Sequence, residues 1–234
     1  MKTLFEESKK FGLNLSDAQL EKFKIYMDFL LEYNSHTNLT AITKPEEIII
    51  KHFLDSIILN SFFKIPKNSS IVDIGTGAGF PGVPLKIFEE SIDLTLVDSL
   101  NKRISFLSEL MKKICLKSNI IHARAEDLSH TSTYREKFDF AVSRAVAPLG
   151  ILCEYCLPYI KKGGALISLK GLNVDEEIVS AANALKILGG EVVSVNSFEL
   201  PRNMGSRNIL IIKKKETTPK KYPRSNSQIS KKPL

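Results

Sequence analysis

The sequence predicts a doubly wound α/β fold, with one mostly parallel sheet covered by helices on both faces. From residue 69 onward, short apolar strand patterns alternate with helical patterns, which is typical of such a sheet. A β-branched strand at Ser70–Ile74 stops at a cluster of glycines, as strands do where the chain turns sharply. The chain has 234 residues, of which 43% are hydrophobic, enough for one such domain and a smaller appendage.

Residues 1–66 are predicted to form a helical cap that precedes the sheet. The motif Ser16-x-x-Gln19 has the spacing of a capping box, and apolar residues then recur at helical spacing. The motif Thr43-x-x-Glu46, with a proline in its first turn, predicts a second helix. We attribute the apolar faces of both helices to packing against the rest of the protein.

The sheet domain is predicted over residues 67–215 and contains seven strands. No helical pattern separates the last two strands, so we expect them to pair antiparallel, whereas a dehydrogenase sheet would close with a sixth parallel strand. The strands are predicted near residues 70–74, 92–97, 119–122, 138–142, 165–169, 191–197 and 208–214, and the helices near 82–90, 100–117, 148–160 and 174–188.

The net charge of +7 is concentrated at the C-terminal end. Residues 213–234 contain eight basic residues and one acidic residue, which leaves 25 residues of each sign in the remainder of the chain. Residues 216–234 are therefore predicted to form a basic, disordered tail whose natural partner is a polyanion such as RNA. A tail that only increases solubility is the alternative.

Composition excludes several other classes of protein. No apolar run approaches the length of a membrane span, and the first residues lack a signal-peptide pattern, so we expect a cytoplasmic protein without a membrane partner. Three cysteines do not make a disulfide framework, and Cys153-x-x-Cys156 has no second pair to complete a zinc site. We expect reduced cysteines and no metal.

The glycine loop after the first strand predicts a site for S-adenosylmethionine. Gly75, Gly77 and Gly79 let the backbone pass close beneath a ligand, and their spacing differs from that of dinucleotide-binding loops. Asp73 precedes them by two residues. Its carboxylate would repel a pyrophosphate but suits a ligand that carries an ammonium and a sulfonium group. Taken alone, the three glycines also fit a plain tight turn.

Further cofactor contacts are predicted past the next strands, because ligands of such sheets bind at the carboxyl ends of the strands. Asp98 ends the second strand, where α/β nucleotide sites place the acid that holds ribose hydroxyls. Ala125 and Glu126 follow the third strand, where the adenine would lie; Glu126 as a solvated loop acid is the alternative. Together with these contacts, the strand pattern predicts the fold of a class I S-adenosylmethionine-dependent methyltransferase. This is a Rossmann-like sheet of seven strands, of which the last is antiparallel, preceded by an N-terminal helical extension.

The segment after the fourth strand indicates which chemistry is excluded. Enzymes that methylate exocyclic amines usually carry an acid or Asn followed by two prolines and an aromatic residue here, whereas this chain has Ser143-Arg144-Ala145. No cysteine is placed for carbon methylation. We name no certain catalytic residue. Arg144 and Lys170 are candidates, and we interpret both as clamps, that is, as side chains that hold a phosphate, the cofactor or the base in place. An unpaired guanidinium would be costly to bury, so Arg144 is expected to face Asp73, Glu126 or an RNA phosphate.

Several motifs resemble those of the bacterial small-subunit ribosomal RNA guanine-N7 methyltransferases, the RsmG family, also called glucose-inhibited division protein B. They occur in the family's order over roughly residues 14–213, and the glycine loop followed by Ser143-Arg144-Ala145 is specific. The matching residues are Asn38-Leu39-Thr40, His52-x-x-Asp55-Ser56, Asp73-x-Gly75-Thr76-Gly77-x-Gly79-Phe80-Pro81-Gly82, Asp98-Ser99-x-x-Lys102-Arg103, Ser143-Arg144-Ala145, Leu169-Lys170-Gly171 and Arg207.

The resemblance implies transfer of a methyl group to N7 of guanine 527 in the decoding-centre loop of 16S rRNA, either as free RNA or in the small ribosomal subunit. It also implies that Gly75, Phe80, Ala125, Glu126 and Arg144 border the cofactor. We expect the enzyme to be a monomer. By residues alone, an S-adenosylmethionine-dependent methyltransferase acting on another RNA, a small molecule or a protein stays open. The other alternative is a nucleic-acid-binding protein whose loop no longer holds cofactor; a loop without Asp73 or Gly75 would indicate it, but both residues are present.

Overall fold

The computed structural model describes residues 1–234 and begins with a group of helices. The chain first forms α1 (Lys2–Lys10), which the sequence analysis did not single out, and then α2 (Asp17–Thr37). The predicted capping box at the start of α2 is present, because the side chains of Ser16 and Gln19 each accept a hydrogen bond from the other residue's backbone N–H. None of the helices in the protein has the length and apolar character needed to cross a membrane.

The second predicted helix is broken into short pieces. They are α3 (Pro45–Ile48), a π-helical turn (Ile49–Leu54), α4 (Asp55–Ile57) and α5 (Leu59–Phe62). Lys44 is the N-cap residue and no side chain caps the helix; Pro45 takes the first helical position, where it has no N–H that needs an acceptor. π-Helical turns are rare and occur frequently at functional sites.

The sheet has seven strands in the order β3-β2-β1-β4-β5-β7-β6, which confirms the predicted fold class. β7 runs antiparallel to both β5 and β6, and the other neighbouring strands are parallel. The elements are β1 (Ser70–Ile74), α6 (Gly82–Phe88), β2 (Asp93–Asp98), α7 (Asn101–Lys113), β3 (Asn119–His122), α8 (Ala125–Leu128), β4 (Phe138–Arg144), α9 (Leu149–Cys156), β5 (Ile160–Lys170), α10 (Val174–Ser180), α11 (Ala182–Leu188), β6 (Gly190–Glu199), β7 (Ser206–Lys214) and α12 (Asn226–Lys231).

Alternate strand residues enter two separate cores, one on each face of the sheet. Ile71 packs with the N-terminal helices, α6 and α7, whereas the neighbouring Val72 packs with α9 and α11. This alternation follows from the two-residue period of a strand, and both faces are apolar because both are covered. The N-terminal helices therefore share one core with the sheet, and their apolar faces are packing surfaces.

Residues 216–234 differ from the predicted disordered tail, because they fold back onto the sheet domain beside α9. Tyr222 and Ile229 are buried, and the segment ends in α12. Arg224 forms an ion pair with Glu154, whose side chain is 1% exposed. Composition could not reveal this packing, because the groups that hold the segment lie 70 or more positions earlier in the chain.

Candidate functional site

A cavity of about 540 Å³ lies at the carboxyl ends of β1, β2, β3 and β4. β1 and β4 flank the point at which the strand order reverses, where ligands of open α/β sheets bind. The predicted residues that line it are Gly75, Gly77, Phe80, Asp98, Ala125, Glu126 and Arg144, and further lining residues used below are Thr40, His52, Val146, Tyr155 and Asn226.

Two of the three loop glycines face the cavity. Gly75 and Gly77 have φ values of +68° and +60°, a backbone conformation that side chains disfavour. A Cβ on Gly75 would lie 2.7 Å from a methyl group of Val146 on the opposite side of the loop. Gly79 has a different role, because it does not line the cavity and a Cβ there would meet the hydroxyl of Tyr26 at 2.8 Å.

Asp73 lies behind the loop and does not line the cavity, although the sequence predicts that it faces the ligand. It is fully buried, and its Oδ2 accepts hydrogen bonds of 2.8 Å from the Thr76 hydroxyl and the Gly82 amide. Its Oδ1 is buried without a partner. Burial raises the pKa of Asp73 to about 7, although these two hydrogen bonds act to lower it. Asp73 therefore stabilises the conformation of the loop from behind it.

Asp98 connects the glycine loop to the end of β2. Its Oδ2 accepts from the Gly77 amide at 2.9 Å, and its Oδ1 accepts from the Leu100 amide at 3.0 Å. Arg103 approaches Oδ2 at 3.1 Å, which compensates the buried charge. The carboxylate is therefore held in one orientation at the cavity wall.

Ala125 and Glu126 open α8 at the end of the cavity beside β3. The Tyr159 hydroxyl donates a 2.6 Å hydrogen bond to the Ala125 carbonyl, which fixes the backbone of this turn. Glu126 is 6% exposed, so the alternative of a solvated loop acid does not hold. The small side chain of Ala125 leaves the cavity open at this point.

Arg144 is held at the opposite end of the cavity by the π-helical turn. Its guanidinium donates to the Lys51 carbonyl at 3.0 Å, to Asp55 Oδ2 at 3.1 Å and to His52 Nδ1 at 2.9 Å. It also lies 4.8 Å from the centre of the Phe80 ring. The carboxylate partner is thus Asp55, and neither Asp73 nor Glu126 takes the predicted place.

His52 is fixed as a neutral ring by its neighbours. Nδ1 of His52 lies 2.9 Å from the Arg144 guanidinium, which can only donate, and 3.2 Å from the Lys51 carbonyl, which can only accept. With the shorter contact to Arg144 made, Nδ1 accepts, and Nε2 carries the proton and faces the Thr40 hydroxyl at 2.9 Å. The ring stacks on Phe80 with the ring centres 4.3 Å apart. Burial and the adjacent guanidinium lower the pKa of His52 to about 3.

The roles of His52 and Asp55 were missed by residue-level reasoning, although both belong to a motif of the resemblance. Arg207, at the start of β7, approaches the second oxygen of Asp55 at 3.3 Å, so that one buried carboxylate faces two arginines. The available signal was a His and an Asp three residues apart on a predicted helix, and this spacing puts them on one face.

Lys170 is close to the site but does not line it. Its ammonium group binds the Ala147 carbonyl at 2.7 Å and Glu177 at 2.7 Å. Lys170 is therefore placed to hold the loop after β4, and the predicted clamp acts on the protein backbone in this structure.

The depressed pKa of His52 predicts a pH dependence of stability. In the unfolded chain, His52 takes up a proton as the pH falls below its ordinary pKa of 6.5, whereas in the folded chain it stays neutral down to about pH 3. The free energy of unfolding therefore decreases as the pH falls through this range. We expect this residue to remove roughly 1.5 kcal/mol of unfolding free energy between pH 6.5 and pH 5. His52→Gln should lack this part of the slope in urea unfolding.

Asp73 titrates in the opposite sense, because its raised pKa makes the folded chain hold a proton that the unfolded chain releases. That contribution is present in wild type and variant alike and cancels in their difference. A difference in stability that stays constant from pH 7.5 to pH 5 would show that His52 is not buried as a neutral ring.

Comparison with known proteins then decides the family. Residues 19–209 match the sequence model of the family described as GidB, rRNA small subunit methyltransferase G. The chain belongs to this family. Among its relatives, a ribosomal RNA small subunit methyltransferase G of Acetivibrio thermocellus is 48% identical, over 100% of this chain and 96% of the relative. The protein of the same name from Clostridium beijerinckii is 49% identical, over 95% of this chain and 94% of the relative.

Solved structures show the same fold for this member of the GidB family. A precorrin-6Y C5,15-methyltransferase of Geobacter metallireducens superimposes with a TM-score of 0.53 at 14% identity, over 74% of this chain and 90% of that one. M. jannaschii TYW2, solved in complex with AdoMet, gives a TM-score of 0.51 at 13% identity, over 68% of this chain and 74% of that one. The resemblance and the methyltransferase fold predicted from the sequence are both confirmed.

Proposed function

We propose that this GidB-family chain transfers a methyl group from S-adenosylmethionine to N7 of guanine 527 in 16S rRNA, as free RNA or in the small ribosomal subunit. The observation that carries the proposal is the cavity at the reversal point of the sheet, with the glycine loop and Asp98 on its wall. The names of the relatives support the choice of acceptor, since they refer to the RNA of the small subunit.

The residues around the cavity fit this cofactor. Val146 packs so closely against Gly75 that only a glycine fits at this point of the cavity wall, which both residues line. Asp98 is proposed to bind the ribose hydroxyls, and Ala125 and Glu126 to border the adenine. Gly77 is proposed to contribute backbone contacts, and Asp73 to support the methionine end of the site by holding the loop from behind through Thr76 and Gly82. The bound cofactor supplies an electrophilic methyl group on a sulfonium.

Arg144, His52 and Phe80 are proposed to position the acceptor base. N7 of guanine carries a lone pair, so attack on the methyl group needs no proton removed and no general base or metal ion to remove one. Alignment of N7 with the methyl group and exclusion of water then supply the rate enhancement.

The electrostatics of this end of the cavity suit that reaction. Positive charge passes to the guanine during transfer, and a second unpaired cation beside the ring would oppose it. His52 is neutral, and Asp55, 3.1 Å from Arg144, offsets part of the positive charge that Arg144 and Arg207 bring to this end of the cavity. Arg144, held in place by its protein partners, is proposed to act as a planar clamp, and the offset of its charge by Asp55 reduces its opposition to the developing charge.

The proposed partner is the ribosomal RNA itself, and the exposed lysines Lys220, Lys221 and Lys232 are available for phosphate contacts. A monomeric, cytoplasmic enzyme without a metal suits this proposal, because ribosomal RNA is a cytoplasmic substrate in bacteria and each chain has its own cavity.

Calorimetry tests the choice of cofactor. We expect the protein to bind S-adenosylmethionine and not NAD. Asp98→Asn should weaken binding about tenfold, because an amide replaces one of the oxygens that accept from the ribose. Asp93→Asn, at the exposed start of the same strand, is the matched control and should leave affinity unchanged. Tighter binding of NAD, or equal affinities of the two variants, would refute this assignment.

A further inference from the structure

One wall of the cavity comes from a part of the chain that sequence reasoning assigned to a disordered tail. Tyr155 of α9 and Asn226, the first residue of α12, both line the cavity. The Tyr155 hydroxyl donates a 2.7 Å hydrogen bond to Asn226 Oδ1. The C-terminal segment is therefore in direct contact with the space proposed for the cofactor.

Charged side chains, of which Glu154 is buried and Arg135 and Arg224 are partly buried, anchor this segment along its length. Arg135 donates to the carbonyl groups of Thr218 and Tyr222 at 2.8 and 2.9 Å. Arg224 forms a fork on Glu154, with Nε and a terminal nitrogen at 2.9 and 2.7 Å from its two oxygens. Charge-assisted and bidentate bonds of this kind fix geometry as well as adding energy. They hold Asn226 in one place relative to α9.

The anchored segment reaches the cavity at the end proposed for the adenine. Tyr155 lies close enough to Glu126 and Arg124 for both to influence its pKa, which burial raises. One turn further along the chain, Tyr159 binds the carbonyl of Ala125. Arg144 and His52 belong to the other end of the cavity, so the segment is not placed to position the acceptor base.

The side-chain amide group of Asn226 has a hydrogen-bond donor that is not used within the protein. Its Oδ1 accepts from Tyr155 and, at 3.4 Å, from Ser230, whereas its Nδ2 makes no hydrogen bond within the protein. The ring nitrogens of adenine are acceptors, so an amide NH₂ at this wall has the complementary chemistry.

Resting on the proposed function, we propose that residues 218–231 complete the cofactor pocket. In this proposal Asn226 contacts the adenosine part of S-adenosylmethionine, and the Arg224–Glu154 ion pair is the anchor that positions Asn226. The charge of Arg224 is then used in the ion pair with Glu154 and is not available for RNA. Lys214, another of the eight basic residues in 213–234, is buried and bound to Leu157, Leu188 and Thr218, so the basic composition of this region overstates its capacity to bind RNA.

The test is calorimetric titration of S-adenosylmethionine and of S-adenosylhomocysteine into four proteins. They are the unchanged chain, Asn226→Ala, a chain ending at Tyr222, and the control Lys231→Ala, which changes an exposed residue of the same helix away from the cavity. We expect Asn226→Ala to raise both dissociation constants about fivefold, as for loss of one hydrogen bond, and the truncation to raise them roughly tenfold or more. Lys231→Ala should leave them unchanged.

The two ligands should lose the same factor, because they share the adenosine and differ only in the methyl group. Full affinity in Asn226→Ala would overturn the inference even if the truncated chain is too unstable to study. Full cofactor affinity with weakened RNA binding in the truncated chain would overturn it too, in favour of an RNA attachment. Absence of binding by the unchanged chain would instead refute the proposed function.

Discussion

Gly75→Val is expected to abolish measurable binding of S-adenosylmethionine. Gly75 has a φ of +68°, which a β-branched residue does not tolerate, and its added Cβ would lie 2.7 Å from Val146. The branched side chain would also occupy the space between the loop and the ligand. Calorimetry under conditions that saturate the wild-type protein measures the effect directly.

Gly163→Val is the matched control for this substitution. Gly163 has a φ of +90°, so the backbone strain is similar, but a Cβ there meets nothing within 4 Å and the residue is absent from the cavity wall. We expect Gly163→Val to lose stability and keep cofactor affinity. Undiminished binding by Gly75→Val, or equal loss in both variants, would show that the loop does not carry the cofactor.

Arg144→Lys is expected to damage methylation almost as much as Arg144→Ala. Three partners and the Phe80 ring surround the planar guanidinium, and the single ammonium group of lysine cannot reach them together. We expect either change to cost roughly 2 kcal/mol of transition-state stabilisation, on the order of a thirtyfold drop in kcat/KM. Single-turnover assays on 16S rRNA separate this loss from slower product release.

The comparison of the two variants distinguishes a clamp from a simple charge. If Arg144→Lys keeps nearly full activity while Arg144→Ala does not, a point charge is sufficient and the clamp interpretation is wrong. If both variants are fully active, Arg144 is not part of the site. Thermal unfolding must accompany the assays, because removing the guanidinium leaves Asp55 buried with Arg207 as its remaining ionic partner.

The sheet was predictable because its signals are local. Each strand is a short apolar run, and the missing helix before β7 was sufficient to predict its antiparallel direction, which its pairing with β6 and β5 confirms. The outer boundaries were less accurate: β5 begins at Ile160, and the helix predicted over 174–188 divides at Ala181. Such boundaries depend on tertiary packing, which a local pattern does not encode.

The candidate site was predictable where residues follow a strand and hidden where they come from elsewhere. Asp98 and Arg144 lie at strand ends, so the topology alone brings them to one edge of the sheet. His52 and Asp55 reach that edge through a π-helical turn, which has no reliable sequence signal. Asp73 was predicted to face the ligand, but it is buried behind the loop, where its carboxylate binds Thr76 and Gly82.

The tail shows why composition is a weak guide to a short segment. Few apolar residues are present in residues 216–234, and most basic residues there are exposed. Its order comes instead from specific partners such as Arg135 and Glu154, which composition cannot reveal. A segment can thus be basic and low in hydrophobicity and still pack, when an existing surface supplies buried charges of the right sign.

The most direct test of the proposed function is to map the methyl group. RNA and small ribosomal subunits from cells that lack the protein are incubated with it and labelled S-adenosylmethionine, and the modified nucleotide is identified by mass spectrometry. We expect one 7-methylguanine, at guanine 527 of 16S rRNA. Label on an exocyclic amine, a ribose, another RNA or a protein, or no label despite cofactor binding, would contradict the account.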